Sequence, residues 1–326
     1  MGYNIATSES EHEITESGAF NRQKNRFATP FGSGEGELPV EANRYRLLWT
    51  PICPWAHRQI IAIKLLGLEA AVSIGTASPV RTEKGWEFSL DEGGIDPVLK
   101  IRYLPEIYAE TGREYSGRAT VPAVVDVKER KVVNNDYFKL SNYWETAWKP
   151  LHKQNSPELY PENLRKSIDE LNDILFHEVN NGVYKAGFAQ SQESYERAFD
   201  SLFNRLDRLE ERLSKQRFLF GDYITDSDIR LYVTLARFDA AYYLVFRTNR
   251  NRLIDFPNLW GYARDLYQTQ AFGETTDFDS IKKGYQLGNV ADNPYQILAK
   301  GPDTSIWNLP HDREVLSKDP GNKFLK

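Results

Sequence analysis

A single cysteine, Cys53, occurs in the 326 residues of the chain. That scarcity excludes an intramolecular disulfide, a cysteine-rich zinc site, an iron–sulfur cluster and any dithiol mechanism with its own resolving cysteine. Disulfide chemistry, if present, must borrow its second thiol from a ligand. No metal site is expected. Long apolar runs are missing as well, so no stretch is long enough to span a bilayer. The opening Met1-Gly2-Tyr3-Asn4-Ile5 leads into polar and acidic residues without the apolar core of a signal peptide. These absences point to a soluble, cytoplasmic protein of a reducing compartment. An excess of positive charge is also lacking: 41 Lys and Arg stand against 46 Asp and Glu, for a net charge of −5. That balance argues against nucleic acid as a partner, because phosphate binding leaves a basic face. Arg247, Arg250 and Arg252, with Lys282 and Lys283, form either an anion patch or, the favoured alternative, a solvated helix end.

What is present centres on Cys53. Arg44-Tyr45-Arg46-Leu47-Leu48-Trp49-Thr50 has the composition of a strand, whereas Ile60, Ile61, Lys64, Leu65 and Leu68 recur at the spacing of a half-buried helix. Cys53 then falls at the helix N-cap. Pro54 takes the first helical position, where its missing N–H costs nothing and its φ already suits the helix. A thiol so placed faces unpaired backbone N–H groups and the positive end of the helix dipole, and both favour the thiolate. A lone cysteine can equally be a small buried apolar residue without chemistry. The following proline favours the reactive thiol. The 18 Tyr, 17 Phe and 7 Trp would suit a pocket for flat organic molecules, but they also build cores.

Residues 1–43, rich in Glu, Ser, Gly and Asn, read as an irregular N-terminal arm that Phe20, Phe27 and Phe31 could pin down. Over 44–149, Gly67 stops the first helix and Ala70–Ile74 reads as a second strand. Gly85-Trp86-Glu87-Phe88 belongs to a loop carrying an aromatic, and Pro97–Thr111 supports a helix through Leu99, Tyr103, Leu104, Ile107 and Tyr108. Thr120–Asp126 is a strand whose Pro122 belongs at its beginning or edge. Lys131-Val132-Val133 is its hairpin partner, and Asn135 or Asp136 can cap a helix through Leu140, Tyr143 and Trp144. This order describes a thioredoxin-like layer, in which the proline before the third strand is usually cis and brings a backbone N–H beside the thiol.

A proline-bearing linker follows, and residues 161–285 read as all-helical. Leu164, Ile168, Leu171, Ile174 and Leu175 make one stripe; Tyr195, Phe199, Leu202, Leu206, Leu209 and Leu213 make another. Thr225 and Asp228 spell a capping box, a structural rather than a catalytic use of the acidic pair Asp226 and Asp228. Asn258–Thr269 and Asp279–Gly284 add helical pieces, and 286–326 is a tail. The fold class is α/β plus all-α.

Cys53-Pro54-Trp55-Ala56-His57-Arg58 resembles the signature of the Xi-class glutathione transferases, the glutathionyl-hydroquinone reductases. Further blocks match in order: Gly85-Trp86, Tyr115–Pro122, Asn181–Ala189, Asp228–Leu231, Pro257–Leu259 and Asp277–Lys282. Several spaced blocks are harder to meet by chance than one hexapeptide. The resemblance implies a thioredoxin-like domain followed by a helical glutathione-transferase domain, assembled as a homodimer. It implies glutathione as co-substrate and a hydroquinone-type aromatic as the other partner. Cys53 would attack the sulfur of a glutathionyl-hydroquinone and form a mixed disulfide that a second thiol releases. Tyr184 and Tyr285 match the tyrosines that polarise or protonate the departing ring, a role suited to a phenol that stays protonated at neutral pH. Trp86, Arg118, Val121 through its backbone, and Asp136 match positions that hold the tripeptide. Arg118 can also form a fork with a carboxylate.

One block departs from the pattern. Where the family carries Glu-Ser after an asparagine, this chain has Asn135-Asp136-Tyr137. Asp136 keeps a shorter carboxylate, and Tyr137 replaces a small hydroxyl donor by a bulky ring. Three alternatives stay open: glutathione held by shifted contacts, a different low-molecular-weight thiol, or a non-catalytic binding module. Ordinary conjugation or dehalogenation is disfavoured, because a cysteine at the usual hydroxyl position suits thiol exchange better than activation of a bound thiol.

Overall fold

The computed structural model describes residues 13–112, 117–288, 290 and 292–326. Tyr115 and Ser116 of the matching blocks, and the first part of the N-terminal arm, lie outside the described residues. The chain divides into two compact units. One is Gln23–Ser156; the other is Pro157–Lys326 together with the end of the N-terminal segment through Arg22.

The first unit is built on a four-stranded sheet of order β2-β1-β3-β4. β1 (Tyr45–Trp49) is buried along its whole length, as a central strand covered on both faces must be. It pairs in parallel with β2 (Val72–Thr76) and antiparallel with β3 (Ala123–Asp126), which in turn pairs antiparallel with β4 (Lys131–Asn134). The parallel pair needs a crossover, and α1 (Pro54–Leu66) supplies it. Gly67 ends α1 in the left-handed region at φ +71°, its amide closing onto the last turn; a Cβ there would also collide with Lys153.

β3 begins at Ala123 rather than at the expected Thr120, and two further boundaries of this unit differ from the sequence expectation by more than a residue. β2 begins at Val72 rather than Ala70. The helix expected over Pro97–Thr111 starts only at Leu104, as α2 (Leu104–Thr111). Asp96 explains the second difference: its Oδ1 accepts the Val98 and Leu99 amides at 3.0 and 2.7 Å, while its Oδ2 meets buried Arg46 at 2.7 Å. The side chain thus offers those amides an alternative to helix, and Lys100 follows at φ +57°. α3 (Leu140–Glu145) completes the unit. The arm is pinned here by Phe31, which packs against Tyr45, Trp144 and Trp148 at 5.1–5.6 Å between ring centroids.

The second unit is helical. α4 (Arg165–Leu175) passes through a π-helical turn at Phe176–Asn180 into α5 (Gly182–Gly187). α6 (Gln192–Leu213) buries Leu202, Leu206, Leu209 and Leu213. α7 (Asp226–Arg237) is buried throughout and continues through a second π-helical turn, Phe238–Tyr242, into α8 (Tyr243–Val245). α9 (Pro257–Tyr267) and α10 (Phe278–Leu287) follow. The tail packs back: Arg313 donates to the carbonyls of Leu213 and Arg217 at 2.8 and 2.9 Å, and Lys323 meets Asp265 at 2.8 Å. Four of the five basic residues weighed as an anion patch go to separate partners. Arg250 pairs with Asp207, Arg252 with Asp255, Arg247 with the Gly187 carbonyl and Lys282 with the Lys300 carbonyl. No helix among the described residues is long and apolar enough to cross a membrane.

Candidate active site

In the sheet unit, Cys53 is the N-cap of α1 with extended backbone (φ −76°, ψ 115°) and Pro54 next in line. Its amide donates to the Thr50 carbonyl at 3.0 Å and its carbonyl accepts the His57 amide at 2.9 Å, so the residue is fixed on both sides. The first turn of α1 holds no acidic residue, so none of its own side chains offsets the positive end of the helix dipole. Across from it, the Val121–Pro122 peptide is cis and leads into β3. The half-buried sulfur lies 3.4 Å from the Val121 carbonyl oxygen, a distance at which the thiol S–H donates. The structure thus brings together Cys53 and Val121, separated by 68 residues.

The other residues expected at the thiol are each held by neighbours in the same unit. Trp86 follows Gly85, whose φ of +101° suits glycine, and its carbonyl accepts the Leu104 amide at 2.8 Å. Arg118 has its amide and carbonyl clasped by the Gln23 side chain, at 3.3 Å each. Asp136 Oδ1 accepts from Asn25 Nδ2 and the Phe138 amide, both at 2.9 Å, and from the Lys139 amide at 3.2 Å. Tyr137 turns its ring onto Trp55, 5.1 Å between centroids, and its carbonyl accepts from buried Arg58. Gln23 and Asn25 escaped sequence reasoning. Contacts reaching across 95 and 111 residues leave no periodic signal in an irregular arm.

In the helical unit, Tyr184 on α5 and Tyr285 on α10 bring their hydroxyls to 2.6 Å. A third phenol, Tyr242, lies 3.1 Å from Tyr285 and 3.4 Å from Tyr184. Burial, with the neighbouring phenols adding to it, pushes Tyr242 and Tyr285 well above the usual tyrosine range, against the opposing charge of Arg237. Arg22 sets its guanidinium 4.6 Å from the Tyr184 ring centroid and donates through Nε to Asn181 Oδ1 at 2.7 Å.

Residues 192–265 match the pattern of the glutathione S-transferase C-terminal domain. Over 307 residues the chain is 38% identical to glutathionyl-hydroquinone reductase YqjG of Escherichia coli K12, covering 91% of this chain and 93% of that protein. The chain belongs to the Xi-class glutathione transferases. Glutathionyl-hydroquinone reductase PcpF of Sphingobium chlorophenolicum is 34% identical, covering 90% of this chain and 92% of its own length. The Xi glutathione S-transferase of Phanerochaete chrysosporium superposes with a TM-score of 0.84 at 37% identity, over 89% of this chain and 99% of that one. Glutathione-bound YqjG gives 0.82 at 38% identity, over 92% and 98%. In this Xi-class chain the Cys53 thiol belongs to the sheet unit, and the hydroxyls of Tyr184, Tyr242 and Tyr285 belong to the helical unit.

Proposed function

We propose that this Xi-class transferase reduces glutathionyl-hydroquinones through Cys53. The thiolate attacks the glutathione sulfur; the S–S bond forms as the bond from sulfur to the ring carbon breaks, and that electron pair passes to the ring. The ring carbon takes a proton and leaves as the free hydroquinone, while the two sulfurs end as a Cys53–glutathione disulfide. A second glutathione, ionised at sulfur, then displaces Cys53 and departs as glutathione disulfide. In this scheme Tyr184 and Tyr285 polarise or protonate the departing ring, and Trp86, Arg118, the Val121 backbone and Asp136 hold the tripeptide.

The observation that carries the reading is Cys53 at the start of α1 beside the cis-proline strand, in a chain two of whose relatives bear the reductase name. The homodimer and the cytoplasmic, reducing setting belong to the same reading and come from the family.

A second reading keeps the chemistry and changes the thiol. It is favoured by Asp136, which already serves three donors, and by the Tyr137 ring packed against Trp55. Cys53→Ser is expected to abolish both hydroquinone release and the adduct formed with glutathione disulfide, read by mass spectrometry. Tyr184→Phe or Tyr285→Phe should only slow release. Full turnover in the serine variant would sink the covalent route. A Cys53 that accepts other low-molecular-weight thiols but not glutathione would select the second reading.

A further inference from the structure

The hydroxyls of Tyr184, Tyr242 and Tyr285 close a triangle with sides of 2.6, 3.1 and 3.4 Å. The proposed function employs two of the three. Tyr184 and Tyr285 keep 8% and 5% of their surface exposed, whereas Tyr242 keeps none, so contact with a reacting ring falls to the first two. A phenol has a single proton to donate. Among the described residues, the acceptors within hydrogen-bond reach of the Tyr242 hydroxyl are the Tyr184 and Tyr285 oxygens. Burying that proton without an acceptor would be costly. It therefore points into the pair.

We propose that Tyr242 is a positioning residue for the proton-transfer step, its buried hydroxyl supplying the third O–H of the cluster and stabilising the phenolate that forms when Tyr184 or Tyr285 gives up its proton. This rests on the function proposed above. As the bond from sulfur to the ring breaks, the ring carbon accepts the electron pair and takes the phenol proton. The phenolate left behind accepts bonds from the two remaining phenols until it recovers a proton, which the ionising second thiol releases.

Charge-assisted hydrogen bonds are shorter and stronger than neutral ones, so the Tyr242 bond gains strength only while the phenolate exists. Such an interaction raises turnover without tightening substrate binding. Burial and the bond to Tyr184 both hold the protons on Tyr242 and Tyr285, which keeps them donors when Tyr184 is the group that ionises. The ring itself is held in place independently of its hydroxyl. Phe246 stacks on it at 5.3 Å with an 8° tilt, and Tyr285 meets it edge-on at 5.2 Å.

Tyr242→Phe in the full chain keeps the ring and removes the hydroxyl. With a glutathionyl-hydroquinone and glutathione, kcat is expected to fall roughly tenfold, with KM changed by less than about twofold and a larger solvent deuterium isotope effect on kcat. An unchanged kcat overturns the role. So does a joint loss of kcat and KM with the isotope effect unmoved, which marks a merely structural residue. A second measurement needs no turnover: 3-fluorotyrosine placed at position 184 is titrated by fluorine NMR. Tyr242→Phe should raise its apparent pKa by about one unit, and an unshifted titration overturns the proposal. If the unaltered protein releases no hydroquinone, the proposed function fails instead, and the fluorine titration still decides whether Tyr242 stabilises charge at Tyr184.

Discussion

In the proposed function, Asp136 carries structure and recognition together. Its Oδ1 takes the Phe138 and Lys139 amides and the Asn25 amide group, holding the turn before α3, and the proposal gives its second oxygen to a ligand ammonium. Two substitutions separate the roles. Asp136→Ala loses the cap, which costs about 1 kcal/mol and lowers Tm by roughly 2–4 °C. Asp136→Asn keeps an oxygen for the same amides and loses only the charge, so Tm should hold. Both should raise KM for glutathione roughly tenfold, the size of one lost charge-assisted bond. An asparagine variant with unaltered KM would leave Asp136 a purely structural residue and favour a thiol other than glutathione. Tyr137 needs no role in binding to account for its bulk: its ring covers Trp55 and its carbonyl serves Arg58.

Among elements, α7 leads to Tyr242, where its π-helical continuation ends, so the start of α7 helps to set where that hydroxyl lies. The start is tied by Asp228. Its Oδ2 accepts from the Thr225 amide and hydroxyl at 2.8 and 2.9 Å, and its Oδ1 from the Leu219 amide and the Tyr262 hydroxyl at 2.9 and 2.8 Å. Burial pushes the carboxyl upward, and these four donors oppose that shift. Asp228→Ala strands the donors in the interior, a cost of roughly 3–5 kcal/mol, whereas Thr225→Ala should cost about 1 kcal/mol. Urea denaturation of the two variants checks the ordering; equal losses would show that the box alone matters.

Thr225 and Asp228 were legible in the sequence because a capping box is local, and so were the strand–Cys–Pro–helix entry to α1, the proline ahead of β3 and the stripe of α6. The missing parts are those in which distant side chains intervene. Asp96 takes the amides that would have begun a helix at Pro97, and no window around Pro97 reveals that Arg46 will hold Asp96 in place. Tyr242 escaped for a different reason. It ends a π-helical turn, where the 3.6-residue period fails, so its neighbourhood with Tyr184 and Tyr285 cannot be counted along a helix face. Gln23 and Asn25 lie in a segment whose composition reads as irregular, yet they clasp Arg118 and Asp136.

At the scale of the molecule, the helical unit is fastened at Asp265 on α9. This carboxylate accepts from Arg217 at 2.8 and 3.2 Å and pairs with Lys323 of the tail at 2.8 Å, with His311 at 3.5 Å. Burial alone would push its pKa up; the Arg217 bonds and the Lys323 charge outweigh that and leave it below the ordinary value of 3.8. The sign of the pH dependence follows. Because the folded state binds this proton less readily than the unfolded chain, the stabilisation is complete above the unfolded pKa and is lost as pH falls through the folded one. Asp265→Asn takes from buried Arg217 its nearer counter-charge and leaves it Glu314 at 3.7 Å, a loss of roughly 3 kcal/mol, and it removes the ion pair of Lys323, whose bonds to the Asp265 carbonyl and Thr269 remain. At neutral pH the variant should unfold at lower urea concentration and lose the tail first to limited proteolysis. The gap between the two proteins should narrow as pH falls below about 3.8 and close only below the lower, folded pKa, where acid has removed from the parent the charge that the mutation removes. A gap between them that persists undiminished at pH 3 would mean that packing around Asp265, rather than its charge, fastens the tail.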